Sequence, residues 1–78
     1  MYDDYFGKNE AYQFGDLISR KLKGKTVSKS KAFAKNPGGL IFEAEKLGID
    51  YIDLLRALEG MCYEGTATEI DDSTYLIH

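Results

Sequence analysis

Residues 44 to 58, AEKLGIDYIDLLRAL, set two apolar-periodic stretches on either side of a single glycine. The small Ala44 is followed four positions later by Gly48, and Leu54 comes six after that. Upstream, LIFEAEKL predicts a helix over about 38–47 that Gly48 ends. Downstream, Asp50 is placed to cap the next helix, with Asp53 three residues on in a capping-box-like position. That helix carries Tyr51, Leu54, Leu55, Leu58, Met61 and Cys62 on one broad stripe and stops at Gly65. Helices joined this tightly must cross at a corner. A chain of 78 residues holds one domain, with a modest core, to cover it.

The remaining segments predict an α+β domain over 1–78. Residues 1–8 form an arm whose Tyr2, Tyr5 and Phe6 are expected to lie against the core. Asn9 is placed to cap a helix reaching about Lys23, with Ala11, Phe14, Ile18 and Leu22 on one face and Leu17 beside them. Arg20, Lys21 and Lys23 crowd its last turn, where cations suit the negative end of the helix dipole, and Gly24 ends it. KTVS, 25–28, predicts one short strand, and Ser28 suits the cap of one or two helical turns in SKSKAFAKN. Asn36-Pro37 suits an N-cap followed by the first helical position, so the helix count is three or four. The tail TATEIDDSTYLI predicts an antiparallel hairpin, with strands at 66–70 and 73–77 and a turn at Asp71-Asp72.

This order resembles the winged helix-turn-helix, a three-helix unit closed by a small sheet whose hairpin is the wing. Two stretches carry the resemblance: AEKLGIDYIDL, and LLRALEGMCYEGTATEIDDSTYLI, which looks like a recognition helix running into a wing. The resemblance implies that Ala44 lets two helices cross closely and that Leu47, Ile49 and Leu54 fill the space beneath. It covers 40–77, about half the chain, and KSKAFAKNPGG is longer than the usual passage between first strand and second helix. The tail is also similar to small proteins of phages and prophages of Gram-positive bacteria.

In winged-helix proteins that bind DNA, the outward face of the second corner helix enters the major groove. Helical spacing turns Asp53, Arg56, Gly60 and Tyr63 outward here, flanked by Glu59 and Glu64. With Asp50 also at this end, one arginine faces several carboxylates, and duplex affinity rests on neutralising phosphates. The wing tip, with Glu69, Asp71 and Asp72, is acidic too. Solvated surface and helix capping account for all of these acids.

Positive charge sits elsewhere. Arg20, Lys21, Lys23, Lys25, Lys29, Lys31 and Lys35 are seven of the ten bases, and segment 17–42 contains no acid, although the whole chain carries −3. This segment could engage phosphates of double-stranded DNA, with Arg56 supplementing it, or be a solubilising loop neutralised by the acidic half. The acidic helix face could dock on a basic protein surface or on a second copy: Ala57 and Gly60 leave room for an approaching backbone, and Tyr63 and Arg56 are residue types that anchor interfaces.

Little in the chain suits catalysis. The only histidine is the terminal His78, Cys62 falls on an apolar helical stripe, and NPGGL lacks the Lys-Ser/Thr of a nucleotide loop. EIDD at 69–72 is better explained as a turn with solvated acids than as a metal site, so neither metal nor cofactor is expected. The acidic opening MYDDYFGKNE is no signal peptide, no stretch suits a membrane span, and the lone cysteine implies no oxidising compartment; a complete cytoplasmic protein is expected. The function classes are therefore a DNA-binding transcriptional regulator and a protein-binding modulator. The phage similarity extends the second to an inhibitor of a host nucleic-acid enzyme or defence complex, for example an anti-CRISPR-like one.

Overall fold

The computed structural model describes residues 8–78, with side chains from residue 14 onward; the contacts expected of Tyr2, Tyr5, Phe6 and Ala11 lie outside that range. The described residues form a small α+β fold of three helices and one three-stranded antiparallel sheet. In order these are α1 (Lys8–Leu22), β1 (Thr26–Ser28), α2 (Leu40–Leu47), α3 (Tyr51–Glu64), β2 (Ala67–Asp71) and β3 (Thr74–Ile77). The sheet runs β1-β3-β2, so the last strand lies between the hairpin partner it follows and the short strand made far earlier. Thr26 faces Leu76 and Ser28 faces Thr74 on one side, while Ala67 faces Ile77 on the other. No helix among the described residues is long and apolar enough to cross a membrane.

The core lies between the helices and one face of the sheet. Ile18 and Leu22 of α1, Leu40 and Ala44 of α2, and Leu54, Ala57, Leu58 and Met61 of α3 meet Val27, Ala67, Tyr75 and Ile77. Tyr75 and Ile77 alternate with the half-buried Thr74 and Leu76, the period-two pattern of a strand with one face packed. The corner forms as expected. Gly48 adopts φ 77°, a left-handed conformation that glycine takes without steric cost, and its N–H reaches the carbonyls of Ala44 and Glu45. Two residues later the Asp50 carboxylate accepts the Ile52 N–H at 3.2 Å and starts α3.

Four local expectations change. Helix α1 already includes Lys8, so Asn9 lies within its first turn and does not precede it. Residues 31–35 form turns and not a fourth helix. The Phe33 N–H donates to the Ser30 carbonyl and Asn36 N–H to that of Phe33, while the Ala34 carbonyl accepts from Phe42 N–H at 2.9 Å. The loop thus spends a carbonyl on the first turn of α2, one of whose N–H groups would otherwise lack a partner. Gly39, not Asn36, is the N-cap of α2, and its N–H donates to the Asn36 carbonyl at 2.7 Å. Finally, the hairpin turn falls at 72–73, one residue later than expected, because Ile70 is an extra residue bulged between Glu69, opposite Tyr75, and Asp71, opposite Thr74.

Candidate docking surface

The outward stripe of α3 is Ile52, Arg56, Glu59 and Tyr63, at spacings of four, three and four, all exposed. The sequence reading placed Gly60 and the small Ala57 on this face, and the structure corrects both. Ala57 and Gly60 are buried. The most extensive helix–helix packing in the domain is between α1 and α3, and small residues are what let two helix backbones approach closely. Asp53 consequently sits half-buried at the edge of the stripe, Glu64 is exposed, and Tyr51, expected inside, is 45% exposed. Ile52 was missed because its neighbours Tyr51 and Leu54 set the apparent stripe one position off.

The exposed apolar content of this face is substantial. Tyr63 is 82% exposed and Ile52 43%, separated by about 16 Å of helix rise. Beyond α3, the bulged Ile70 of the hairpin is 51% exposed.

Several nearby acids have local work. The Asp71 carboxylate accepts the Ser73 N–H at 2.9 Å and the Ser73 hydroxyl at 3.3 Å, closing the hairpin turn. The Ser73 amide, ahead of the other donors, holds that carboxyl below its ordinary 3.8. Glu69 lies 3.4 Å from the Lys29 ammonium, and Asp50 is a cap. For Asp53, Glu59, Glu64 and Asp72 the structure shows no such structural partner among the described residues.

The lysine-rich segment does not form one patch. Antiparallel pairing puts Lys25 beside Ile77, at the end of β3, while the Lys29 N–H donates to the Ser73 carbonyl at the hairpin turn. A strand rise of about 3.3 Å per residue sets these two about 13 Å apart. Arg20, Lys21 and Lys23 are exposed on and after the last turn of α1, where Arg20 and Lys23 line a shallow depression with Asp16 and Ser19. Lys29 is drawn onto the sheet: its ammonium lies 3.2 Å from the Tyr75 hydroxyl and 5.1 Å from the ring centre. The Tyr75 hydroxyl, more than the nearby Glu69, raises its pKa above the ordinary 10.5. Lys31 and Lys35 are exposed.

Between Lys31 and Lys35 stands a residue that sequence reasoning passed over. Phe33 is 57% exposed, whereas its neighbour Ala34 is buried. Burying a phenylalanine stabilises a fold by roughly 1.5–3 kcal/mol. The loop forgoes that because its backbone is fixed by the hydrogen bonds that serve α2.

Cys62 and His78 are the residues that most invite a catalytic reading. Burial pushes the half-buried Cys62 thiol above its ordinary 9.0, and Glu69 and Glu59 push it further, which disfavours the nucleophilic thiolate. His78 Nε2 lies 2.6 Å from the Thr68 hydroxyl across the end of the hairpin. Among the described residues no group of three or more His, Cys, Asp or Glu could hold a metal ion. No protein-family model, curated protein or solved structure matches the chain.

Proposed function

We propose that this chain is a small, non-catalytic regulatory binding protein on a winged-helix-type scaffold, docking the outer face of α3 and its wing onto a basic protein surface. The helix–strand–helix–helix–hairpin order and the β1-β3-β2 sheet support the scaffold reading. The observation that carries the function is the stripe itself: exposed Ile52 and Tyr63 flank Arg56 and Glu59, rimmed by Asp53 and Glu64. Such a face supplies apolar area and an aromatic anchor to a protein and repels a phosphate backbone. A partner whose own ligand is nucleic acid would present a suitable basic groove, which is how an inhibitor of a host nucleic-acid enzyme would act.

The test is affinity capture from cells that encode the protein, with and without nuclease, using wild type, Glu59→Lys and Tyr63→Ala. A nuclease-resistant protein held by wild type and lost by both variants is the expected result. Capture unaffected by either substitution, or captured material that disappears with nuclease, overturns the reading.

A second reading has its own support, since Arg20, Lys21, Lys23 and Lys25 are all exposed and Arg20 and Lys23 line one depression. In that reading these residues meet DNA phosphates. Binding to mixed duplex should then weaken steeply with salt, and each lost lysine contact should flatten the slope by about one unit.

A further inference from the structure

We propose that the partner of the α3 face is a second copy of this chain, which sets Phe33 against Tyr63 with its flanking Lys31 and Lys35 toward Glu59 and Glu64. This rests on reading α3 as a protein-docking face and adds the identity of the surface it meets.

Both halves of the interface are present in one sequence. The Phe33 loop offers an exposed aromatic ring between two exposed lysines, and α3 offers exposed apolar side chains rimmed by Asp53, Glu59 and Glu64. The segment holding the loop, 17–42, has seven bases and no acid, while thirteen acids and three bases lie outside it. Across the sheet the same division recurs, with the basic segment supplying the β1 edge and the acidic α3–β2 segment supplying the opposite edge.

The loop is also held ready. Phe33 and Ala34 carbonyls accept from Asn36 and Phe42, and Gly39 lies close against both. Ordering the loop therefore adds little to the cost of association. Phe33 is 57% exposed within its own chain, so its ring is accessible to a second copy. Because knob and receptor are different surfaces, the contact is made either twice about a two-fold axis or head-to-tail, giving a ring where it closes and a chain where it does not.

Sedimentation velocity tests this on the full chain. At about 50 mM salt, where surface charges act over more than 10 Å, the mass should rise above 8.8 kDa with concentration and return to it at about 1 M. The double variants Lys31→Glu/Lys35→Glu and Glu59→Lys/Glu64→Lys, all at exposed positions and checked for fold by circular dichroism, should each be monomeric alone. Mixed together they should associate again, because each retains one intact surface. Phe33→Ala should weaken wild-type association at least tenfold.

A wild type that stays at 8.8 kDa throughout overturns the proposal. So do variants that associate unchanged alone, or a mixture that fails to associate. Loss of oligonucleotide binding by a monomeric Phe33→Ala protein would assign the loop to nucleic acid and also overturn it. If the chain is monomeric but α3 still captures another protein, only this inference fails; if α3 captures nothing and no association occurs, the docking reading fails with it.

Discussion

The Cβ that Gly39 lacks would overlap the carbonyl oxygen of Phe33 and lie 2.5 Å from that of Ala34. The N-cap of α2 and the loop that turns Phe33 outward are therefore pressed backbone against backbone. Because Gly39 has φ −87°, an ordinary value for any residue, the requirement for glycine here is one of space.

Gly39→Ala should accordingly cost about 1–3 kcal/mol or more, since only backbone can move to make room. Gly15 in α1 is the contrast: a Cβ there meets nothing within 4 Å, so Gly15→Ala should gain roughly 0.5–1 kcal/mol from helix propensity. Urea unfolding midpoints of the two variants should move in opposite directions.

The Glu43 carboxylate, 7% exposed, accepts the Gly38 N–H at 3.0 Å and fastens the same loop from the other side. Removing it in Glu43→Ala leaves that amide without its acceptor, at a cost of about 1–3 kcal/mol. Glu43→Gln keeps an acceptor and should lose clearly less. Comparable loss in both would show that the bond contributes little.

Much of the corner was legible in the sequence, because Gly48, Asp50 and Gly65 act through their own backbone and their effect is local. The register of the α3 stripe was not. Ala57 and Gly60 are as compatible with an open surface as with a close helix crossing, and only the approach of α1 decides between them. Phe33 was hidden for a related reason: a loop phenylalanine ordinarily turns inward, and it faces out because the Ala34 and Phe33 carbonyls are committed elsewhere. The one-residue shift of the wing turn follows from the Ile70 bulge, which strand propensity does not encode.

Stability should fall at alkaline pH. Burial raises the Tyr75 hydroxyl and the Cys62 thiol above their ordinary 10.0 and 9.0, and the Tyr75 hydroxyl raises Lys29 above 10.5. The fold favours the protonated form of each. Their contributions are thus complete below those ordinary values and decline as pH rises through the higher folded ones. Thermal unfolding should be insensitive to these groups near pH 7 and should weaken from about pH 9 upward. Tyr75→Phe, which removes one titrating group and the partner of another, should show a shallower alkaline decline than wild type. At the acid end Asp71, held low by the Ser73 amide, contributes above 3.8, and that contribution is lost as pH falls through its lower folded value.

Face and core should separate cleanly in α3. Leu58 is fully buried, and Leu58→Ala should cost about 2–5 kcal/mol through the cavity it leaves. Tyr63→Ala, at an exposed position, should change stability by no more than about 0.5 kcal/mol while abolishing capture of the partner. A Tyr63→Ala protein that unfolds more readily than this would give the ring a structural role.

The most direct test of the docking reading replaces Tyr63 with a photo-cross-linking phenylalanine analogue in cells that encode the protein. Illumination should join α3 to a protein, identified by mass, and a second copy of this chain counts as one. Cross-linked nucleic acid at position 63, or protein cross-links that appear from a probe at the exposed Lys21 but never from position 63, would contradict it.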